Sequence, residues 1–310
     1  MKVIITHTDL DGVASAALIL RGVGSVDKIF FAQPNQLYGV LRKIPNGADV
    51  YVSDLGMNTS ILERVLEEVE RIIKGGGRIR WFDHHIWKEE WIAGLKDRGV
   101  EIYVDTSTCG AGVVARYLPV EGEGVGELVS ATCSIDLWRF NDWRGNFLAR
   151  YVGFKGGAEW REKVAYRLKD FDGMLSQDII DTVSQVFDEE LKTYSRILRE
   201  AKVTRTAGMT IAYVLKKDDE HTTSYIGNLL LNRFQAKIAV ICREGSVSFR
   251  SIGDTDVSSL AMRLGGGGHK NAAGAPIKAP LLHRFLRKVG IKGPYLSWCI
   301  SRVVQTLESE

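Results

Sequence analysis

The sequence predicts an α/β protein with a doubly wound, mostly parallel sheet, a helical connector and a smaller C-terminal α/β domain. Short apolar, β-branched runs alternate with helical patterns up to about residue 105, an order typical of a parallel sheet. The pattern then turns helical, and a second strand–helix alternation begins near residue 205. A chain of 310 residues is long enough for roughly two domains. We therefore predict a first domain over residues 1–185, a connector over 186–204 and a second domain over 205–310.

The elements of the first domain follow from short hydrophobic runs and helical periodicity. Each predicted strand is a brief run rich in apolar and β-branched residues. The predicted strands cover residues 2–5, 27–32, 48–52, 78–82 and 100–104. Helices are predicted at about 12–20, 34–44 and 59–74, with another before residue 100 and mainly helical structure over 107–203.

The second domain begins with a predicted strand over residues 209–215 and a helix over about 222–233. Residues 236–242 and 246–251 are predicted to form a hairpin with its turn at Glu244-Gly245. A short helix from about residue 256 leads into a glycine-rich run, and residues 279–308 are predicted to be mainly helical.

Composition limits the class of protein. Hydrophobic residues make up 45% and charged residues 25%, as in globular proteins with an ample core. The net charge of +3 does not indicate a protein that coats nucleic acid, although it leaves a local basic groove open. The four cysteines form no CxxC pair, so we expect buried thiols without zinc or a disulfide framework. No signal-peptide pattern and no membrane-length apolar run is found, which predicts a cytoplasmic protein without membrane association.

Polar side chains suited to metal binding follow three of the predicted strands. The first strand leads into His7, Asp9 and Asp11, the third into Asp54, and the fourth into Asp83, His84 and His85. The carboxyl ends of parallel strands meet at one edge of the sheet, where ligands bind. Close carboxylates repel one another, and a divalent cation would remove that conflict. For the first cluster alone, the alternative is a solvated turn in which Asp9 or Asp11 caps the following helix.

One further carboxylate, Asp136, lies in an apolar and aromatic stretch. Burial of an unpaired carboxylate is costly, so either Arg139 or a metal ion should satisfy it. Carboxylate and imidazole ligands without a thiolate suit Mn²⁺, Mg²⁺ or Co²⁺. Six or seven such ligands are too many for one ion and fit two ions about 3.5–4 Å apart, which is the arrangement that hydrolyses phosphoesters.

The glycine-rich run of the second domain, Gly265-Gly266-Gly267-Gly268-His269-Lys270, predicts a phosphate-binding segment. Glycines let backbone N–H groups approach an anion, His269 and Lys270 add donors, and Arg250 offers a bidentate clamp. The alternative is a flexible linker or a glycine turn at the end of a helix.

These motifs, in this order, resemble those of the DHH phosphoesterase family with its C-terminal DHH-associated domain. The matching stretches are His7-Thr8-Asp9-Leu10-Asp11-Gly12, Asp54, Asp83-His84-His85, Asp136 and Gly266-Gly267-Gly268-His269-Lys270-Asn271-Ala272-Ala273-Gly274. That family includes single-strand exonucleases of the RecJ type, nanoRNases that also act on adenosine bisphosphate, and cyclic-dinucleotide phosphodiesterases. The resemblance spans both predicted domains.

The resemblance implies a role for each motif residue. His7 and Asp9 would hold one divalent ion, most simply Mn²⁺; Asp11, His84 and Asp136 would hold a second; and Asp54 would bridge them. His85 would face the scissile phosphate, and Asp83 would orient a ligand histidine. The residues implied in substrate binding are Arg250, Gly266, Gly267, Gly268, His269 and Lys270.

The activity implied is a two-metal phosphodiesterase that acts on short single-stranded oligonucleotides or nucleotides. The alternatives are a nucleoside 3′,5′-bisphosphate phosphatase, a cyclic-dinucleotide phosphodiesterase, or a non-catalytic binding or scaffold relative. The sequence leaves open the exact metal, the preference for RNA or DNA, the direction of digestion and a homo-oligomeric state.

Overall fold

The computed structural model describes residues 1–57, 59–217 and 223–309. The chain divides into two compact units, Met1–Val186 and Phe187–Glu310. Each unit combines a β-sheet with packed helices, which confirms the predicted α/β class. The predicted start of a helix at residue 222 lies outside the described residues.

The sheet of the first unit is parallel and has a reversal of strand order in it. Its strands are β1 (Lys2–Thr6), β2 (Lys28–Phe31), β3 (Asp49–Ser53), β4 (Arg78–Asp83) and β5 (Glu101–Val104). They lie in the order β2-β1-β3-β4-β5, and each neighbouring pair is parallel. The order therefore reverses between β1 and β3. In open α/β sheets such a switch point opens a crevice for ligands at the carboxyl ends of the strands.

Helices cover this sheet and extend the first unit. They are α1 (Leu10–Val23), α2 (Leu37–Leu41), α3 (Leu62–Lys74), α4 (Glu89–Lys96), α5 (Gly110–Tyr117), α6 (Val125–Asp136), α7 (Trp143–Gly153), α8 (Gly157–Lys169) and α9 (Gln177–Glu200). Helix α1 is buried along residues 10–20, where small side chains let α5, α6 and α8 pack closely around it. The helix predicted over 34–44 is shorter, because Pro34–Gln36 form a 3₁₀ turn before α2.

The second unit has a mixed sheet. Its strands are β6 (Lys202–Thr206), β7 (Met209–Leu215), β8 (Ile238–Arg243), β9 (Ser246–Ser251), β10 (Gly267–His269) and β11 (Ala272–Pro276). They lie in the order β10-β11-β9-β8-β7-β6, and only the β7–β8 pair is parallel among these described strands. The helices are α10 (Thr223–Phe234), α11 (Ser258–Arg263), α12 (Leu281–Lys288) and α13 (Gly293–Glu308).

Three strands of this sheet depart from the sequence prediction. Residues 202–206 form β6, although the helical pattern was predicted to continue to 203. Strands β10 and β11 occupy the glycine-rich run and the alanines after it. Glycine and alanine have low strand propensity, so only the pairing of β11 with β9 and of β10 with β11 reveals these strands.

The cysteines also depart from the prediction. Cys109 is joined to Cys133, and Cys242 to Cys299, by disulfide bonds. The expectation of four separate thiols is therefore wrong. The partners are 24 and 57 residues apart in the sequence and meet only through the tertiary packing of their elements, so no local spacing indicates them.

No helix within the described ranges is both long enough and apolar enough to cross a membrane.

Candidate metal centre and substrate-binding residues

The loop between β1 and α1 carries the first cluster of predicted ligands. Asp9 is the N-cap of α1, and its Oδ1 accepts a hydrogen bond from the Gly12 amide at 3.2 Å. Its Oδ2 lies 2.9 Å from His7 Nδ1. Asp9 therefore caps the helix with one oxygen and faces His7 with the other, so the two interpretations of this residue are compatible.

Buried hydroxyl groups join this loop to the end of β3. The Thr6 hydroxyl donates to the Gly12 carbonyl at 2.8 Å, and the Ser53 hydroxyl donates to Thr6 Oγ1 at 2.9 Å. Thr6 and Ser53 are fully buried. Because they immediately precede His7 and Asp54, the two hydroxyls fix the separation of the ligand-bearing strand ends.

Asp11 is buried and held by the start of α5. Its two oxygens accept hydrogen bonds from the amides of Gly110 and Ala111, both at 2.7 Å. The N-terminal amides of a helix favour a negative charge, so Asp11 has a fixed orientation. A Cβ at Gly110 would lie 2.9 Å from Asp54 Cβ and 3.0 Å from Asp11 Oδ2, which explains the glycine there. The sequence analysis did not identify this contact, since it joins segments about a hundred residues apart.

Three carboxylates converge on one imidazole nitrogen. His84 Nε2 lies 3.5 Å from Asp11 Oδ2, 3.4 Å from Asp54 Oδ1 and 3.5 Å from Asp136 Oδ2. These distances are longer than an N–H···O hydrogen bond, and one nitrogen cannot donate to three oxygens. Ligands arranged around a shared cation show such spacing.

Asp54 belongs to both ligand groups. Besides its contact with His84, its Oδ2 lies 3.7 Å from His7 Nδ1. Its backbone φ of 51° is in the left-handed region, which is uncommon for a residue other than glycine and typical of functional sites. His7, Asp9 and Asp54 form one group that could hold a metal ion, and Asp11, Asp54 and His84 form another.

The charges of this site favour a cation. Burial, followed by the negative charges of neighbouring carboxylates, raises the pKa of both Asp54 and Asp136 well above its usual range. Burial also raises the pKa of Asp11. Asp54 Oδ2 and Asp136 Oδ2 are buried without a hydrogen-bond partner among the described residues. Oxygen and imidazole donors with unsatisfied buried charge fit divalent ions of the Mn²⁺ or Mg²⁺ type.

His7 and Asp9 differ from these carboxylates in how the site shifts their pKa values. Burial disfavours the charged forms of His7 and Asp9, but their mutual attraction outweighs it. The pKa of His7 is raised to about 9, and that of Asp9 is lowered. The two residues therefore form an ion pair without metal, and a metal ion bound there must displace a proton from His7.

Asp136, the last residue of α6, is at the site because the C-terminal end of that helix reaches it. No ion pair joins it to Arg139 in the part of the chain that the structure describes, and Arg139 is exposed. Of the two explanations for the buried carboxylate, the contact with His84 favours the metal.

Asp83 is fully buried between two donors. Its Oδ1 lies 2.9 Å from His85 Nδ1, and its Oδ2 accepts a hydrogen bond from the Trp87 indole at 2.5 Å. Burial opposes ionisation of Asp83, but the charge of His85 lowers its pKa, and Asp83 in turn raises the pKa of His85. Asp83 thus fixes the His85 ring through Nδ1. The sequence analysis missed Trp87, whose only signal is a tryptophan two residues after the histidine pair.

We predict that Trp87→Phe lowers kcat about tenfold with little change in KM or metal content. The reason is that loss of the indole N–H leaves one oxygen of Asp83 without its donor and loosens the orientation of His85. Steady-state kinetics and metal analysis measure this split. Trp91→Phe, on α4, is the matched control and should leave kcat unchanged. A Trp87→Phe enzyme with normal kcat would show that this hydrogen bond has no part in positioning His85.

In the second unit, Arg250 and His269 lie in one cross-strand row. Ala272 of β11 pairs with His269 on one side and with Arg250 on the other. Residues paired directly across strands point to the same face of a sheet, so these two predicted substrate residues share a face. The Arg250 guanidinium donates to Phe249 O at 2.8 Å and to Ser224 Oγ at 3.0 Å, and burial lowers its pKa to about 10.

The glycine-rich run forms an edge strand. A Cβ at Gly266 would lie 2.0 Å from Gly274 O, and one at Gly268 would lie 2.6 Å from Ala272 O. These two glycines are required by close contact with β11, whereas Gly267 faces open space. Lys270 forms an exposed ion pair with Asp254 at 3.0 Å. The assignment of these residues to substrate binding stays a prediction.

Comparisons with known proteins agree with this architecture. The DHHA1 domain matches residues 206–290. The chain is 25% identical over 307 residues to oligoribonuclease NrnB of Bacillus subtilis, with 91% of this chain and 74% of that protein covered. In structure it is similar to the pGpG-specific phosphodiesterase PggH of Vibrio cholerae, with a TM-score of 0.56, 15% identity and coverage of 93% and 97% of the two chains. It is also similar to RecJ of Thermus thermophilus in complex with Mn²⁺, with a TM-score of 0.54 and 16% identity. That match covers 97% of this chain and 52% of the RecJ chain.

The parallel sheet, the acidic and histidine cluster at its switch point and the DHHA1 domain together define a metal-dependent phosphoesterase. The C-terminal part of the chain contains a DHHA1 domain, and these findings together support a DHH family phosphoesterase.

Proposed function

We propose that this protein is a phosphodiesterase that hydrolyses short single-stranded RNA or DNA to mononucleotides. The observation that carries the proposal is the convergence of Asp11, Asp54 and Asp136 on His84 Nε2, with Asp54 shared with His7. The similarity to a protein named oligoribonuclease over 91% of this chain supports oligonucleotides as the substrate class.

Two divalent ions fit the donor set, with Mn²⁺ as the proposed metal and Mg²⁺ or Co²⁺ as alternatives. His7 and Asp9 would hold one ion, Asp11, His84 and Asp136 the other, and Asp54 would bridge them. Bound there, the metal pair would activate water and neutralise charge on the phosphoryl group. The Mn²⁺ complex of the structurally similar RecJ supports this choice.

The protein's own groups orient the substrate. Asp83 holds His85 at Nδ1, which leaves Nε2 as the nitrogen that would donate to a phosphate oxygen or leaving group. Arg250, His269 and Lys270, with the backbone of Gly266, Gly267 and Gly268, would bind the substrate phosphates. A guanidinium held by Ser224 loses little freedom on binding an anion, which suits it to this role.

The test is hydrolysis of a five-residue RNA and its DNA counterpart, each labelled at one end, with Mn²⁺ or with a chelator. We expect a Mn²⁺-dependent ladder of mononucleotide steps, whose direction follows from the labelled end. Absence of cleavage by protein that binds Mn²⁺ would overturn the proposal. Nucleoside 3′,5′-bisphosphate and cyclic dinucleotides would then be the substrates to assay, and inactivity on all of them would indicate a non-catalytic binding protein.

We predict that His269→Ala raises KM for an oligonucleotide ten- to hundredfold with unchanged metal content, because loss of a hydrogen bond to a charged phosphate costs about 1.5–3 kcal/mol. Kinetics with a dinucleotide and metal analysis measure the two quantities. His283→Ala, on α12 of the same unit, is the control and should behave as wild type. Loss of metal from His269→Ala would contradict the assignment of His269 to the substrate.

A further inference from the structure

The segment that follows Asp136 combines aromatic side chains with unusual backbone conformations. Residues 137–142 connect α6 to α7 and include Trp138 and Phe140, whose φ angles are 60° and 52°. Among the described residues, the other non-glycine positions with positive φ are Asp54, Ala207 and Gln235. Of these five residues, Asp54 is a proposed metal ligand, and Trp138 and Phe140 closely follow the proposed ligand Asp136.

Trp138 occupies a position where glycine is the usual residue. Helix α6 ends at Asp136, and the amides of Arg139 and Phe140 both donate to the Ser134 carbonyl, at 2.9 and 2.8 Å. In this type of helix ending, the residue in the left-handed conformation is commonly glycine, because a side chain there is strained. A tryptophan at this position lowers the stability of the folded state, and such backbone strain is characteristic of binding and catalytic sites.

The chain keeps the backbone of Trp138 close to the proposed metal site. Asp136 Oδ2 lies 3.5 Å from His84 Nε2. Consecutive Cα atoms are about 3.8 Å apart, so the Trp138 backbone lies within two such steps of Asp136. The rings of Trp138 and Phe140 are 4.6 Å apart in an edge-to-face arrangement, and both side chains are partly exposed.

We propose that Trp138, supported edge-on by Phe140, is a stacking platform for the nucleobase next to the scissile phosphate. This inference rests on the proposed function and adds the part of the substrate that binds outside the metal site. An indole is the largest aromatic surface available for a base, and stacking tolerates every base because each has a π face. Arg139, which lies between these two residues in the sequence and is exposed, offers a cation to the same substrate. The platform therefore selects nucleotides over simple phosphodiesters without selecting a sequence.

The test compares two dinucleotide substrates that differ only in whether their bases are present. One is 5′-phosphorylated diadenylate, and the other is the same dinucleotide with both bases replaced by hydrogen. In wild type, kcat/KM should be about ten- to hundredfold higher for diadenylate, the range that one stacked base supplies. Trp138→Gly should reduce this ratio toward one while the value for the base-free substrate changes little. Trp138→Phe should restore most of the ratio.

The variants separate recognition from folding. Trp138→Gly removes the φ strain, so its thermal stability should equal or exceed that of wild type. Trp138→Asn also tolerates a positive φ and lacks an extended aromatic surface, so it provides an independent second variant. Trp143→Ala removes an exposed tryptophan from the start of α7 and should keep the wild-type ratio. An unchanged ratio in both Trp138 variants, or an equal loss on both substrates, would overturn the platform.

Binding of adenosine monophosphate and of ribose 5-phosphate, measured by calorimetry, distinguishes this proposal from the proposed function. A preference of wild type for adenosine monophosphate that Trp138→Gly removes would support the platform even if no oligonucleotide were hydrolysed. Hydrolysis of oligonucleotides with no such preference would support the function and overturn the platform.

Discussion

Asp54→Asn is expected to lower phosphodiester hydrolysis by about a thousandfold or more, which corresponds to about 4 kcal/mol of transition-state stabilisation. Asp54 faces both His7 and His84, so its carboxylate is the one group that both proposed ions would share. Asparagine has the same shape and tolerates the φ of 51°, so the substitution removes charge without displacing the backbone. Metal analysis after dialysis should show loss of the tightly bound metal.

The same substitution should have the opposite effect on the stability of the metal-free protein. Burial and neighbouring carboxylates raise the pKa of Asp54 in the folded state, so the folded protein retains a proton that the unfolded chain releases. The contribution of Asp54 to the free energy of unfolding of the metal-free protein should therefore fall as the pH rises above about 4. Asp54→Asn should reduce this dependence and match or exceed wild type at pH 7. Addition of Mn²⁺ should stabilise wild type but not Asp54→Asn.

Asp105→Asn is the matched control, because Asp105 follows the neighbouring strand β5 and pairs with Arg116 outside the cluster. It should retain activity, metal and the contribution of Asp54 to the pH dependence. Near-normal turnover by Asp54→Asn would contradict the shared-ligand arrangement. Loss of metal in both variants would show that the effect is general to strand-end carboxylates.

Much of this site follows from the sequence because the chemistry is carried by strand ends. Parallel strands bring their carboxyl ends to one edge whatever their exact bounds, so His7, Asp54 and His84 could be expected together before any distance was known. The structure places them at the reversal of strand order between β1 and β3. The pattern of alternating strands and helices cannot determine that order, because it gives the sequence of elements and leaves their neighbours open.

What the sequence did not predict depends on contacts between distant segments. The amides of Gly110 and Ala111 hold Asp11 across about a hundred residues, and backbone donors have no signature in side-chain identity. The pairing of Cys109 with Cys133 likewise follows from the packing of α5 against α6. The glycine-rich run was predicted to bind phosphate, with a flexible linker or a glycine turn as the alternative, and its strand character comes from pairing with β11. In each case local propensity is weaker than the tertiary contact that overrides it.

Gly12 ends the first motif, and the structure leaves no room for a side chain at this position. Its substitution is therefore expected to lower both stability and activity strongly. A Cβ at Gly12 would lie 2.3 Å from His7 O, 2.5 Å from His7 C and 2.7 Å from His7 Cα. These are backbone atoms, so no side-chain rotation can relieve the overlap. The Gly12 carbonyl also accepts the hydrogen bond from Thr6 that fixes the end of β1.

Gly12→Ala should therefore destabilise the protein by about 3 kcal/mol, at the upper end of the usual cost of overpacking. It should also reduce activity at least a hundredfold, because the displaced loop carries His7 and Asp9 away from Asp54. Urea denaturation in chelator measures the free energy of unfolding without any contribution from metal. Gly39→Ala, on α2, has no atom within 4 Å of the added Cβ and should raise stability by about 0.5–1 kcal/mol. Wild-type stability and activity in Gly12→Ala would show that the loop adjusts freely, and the proposed ligands would then not be held in place before metal binds.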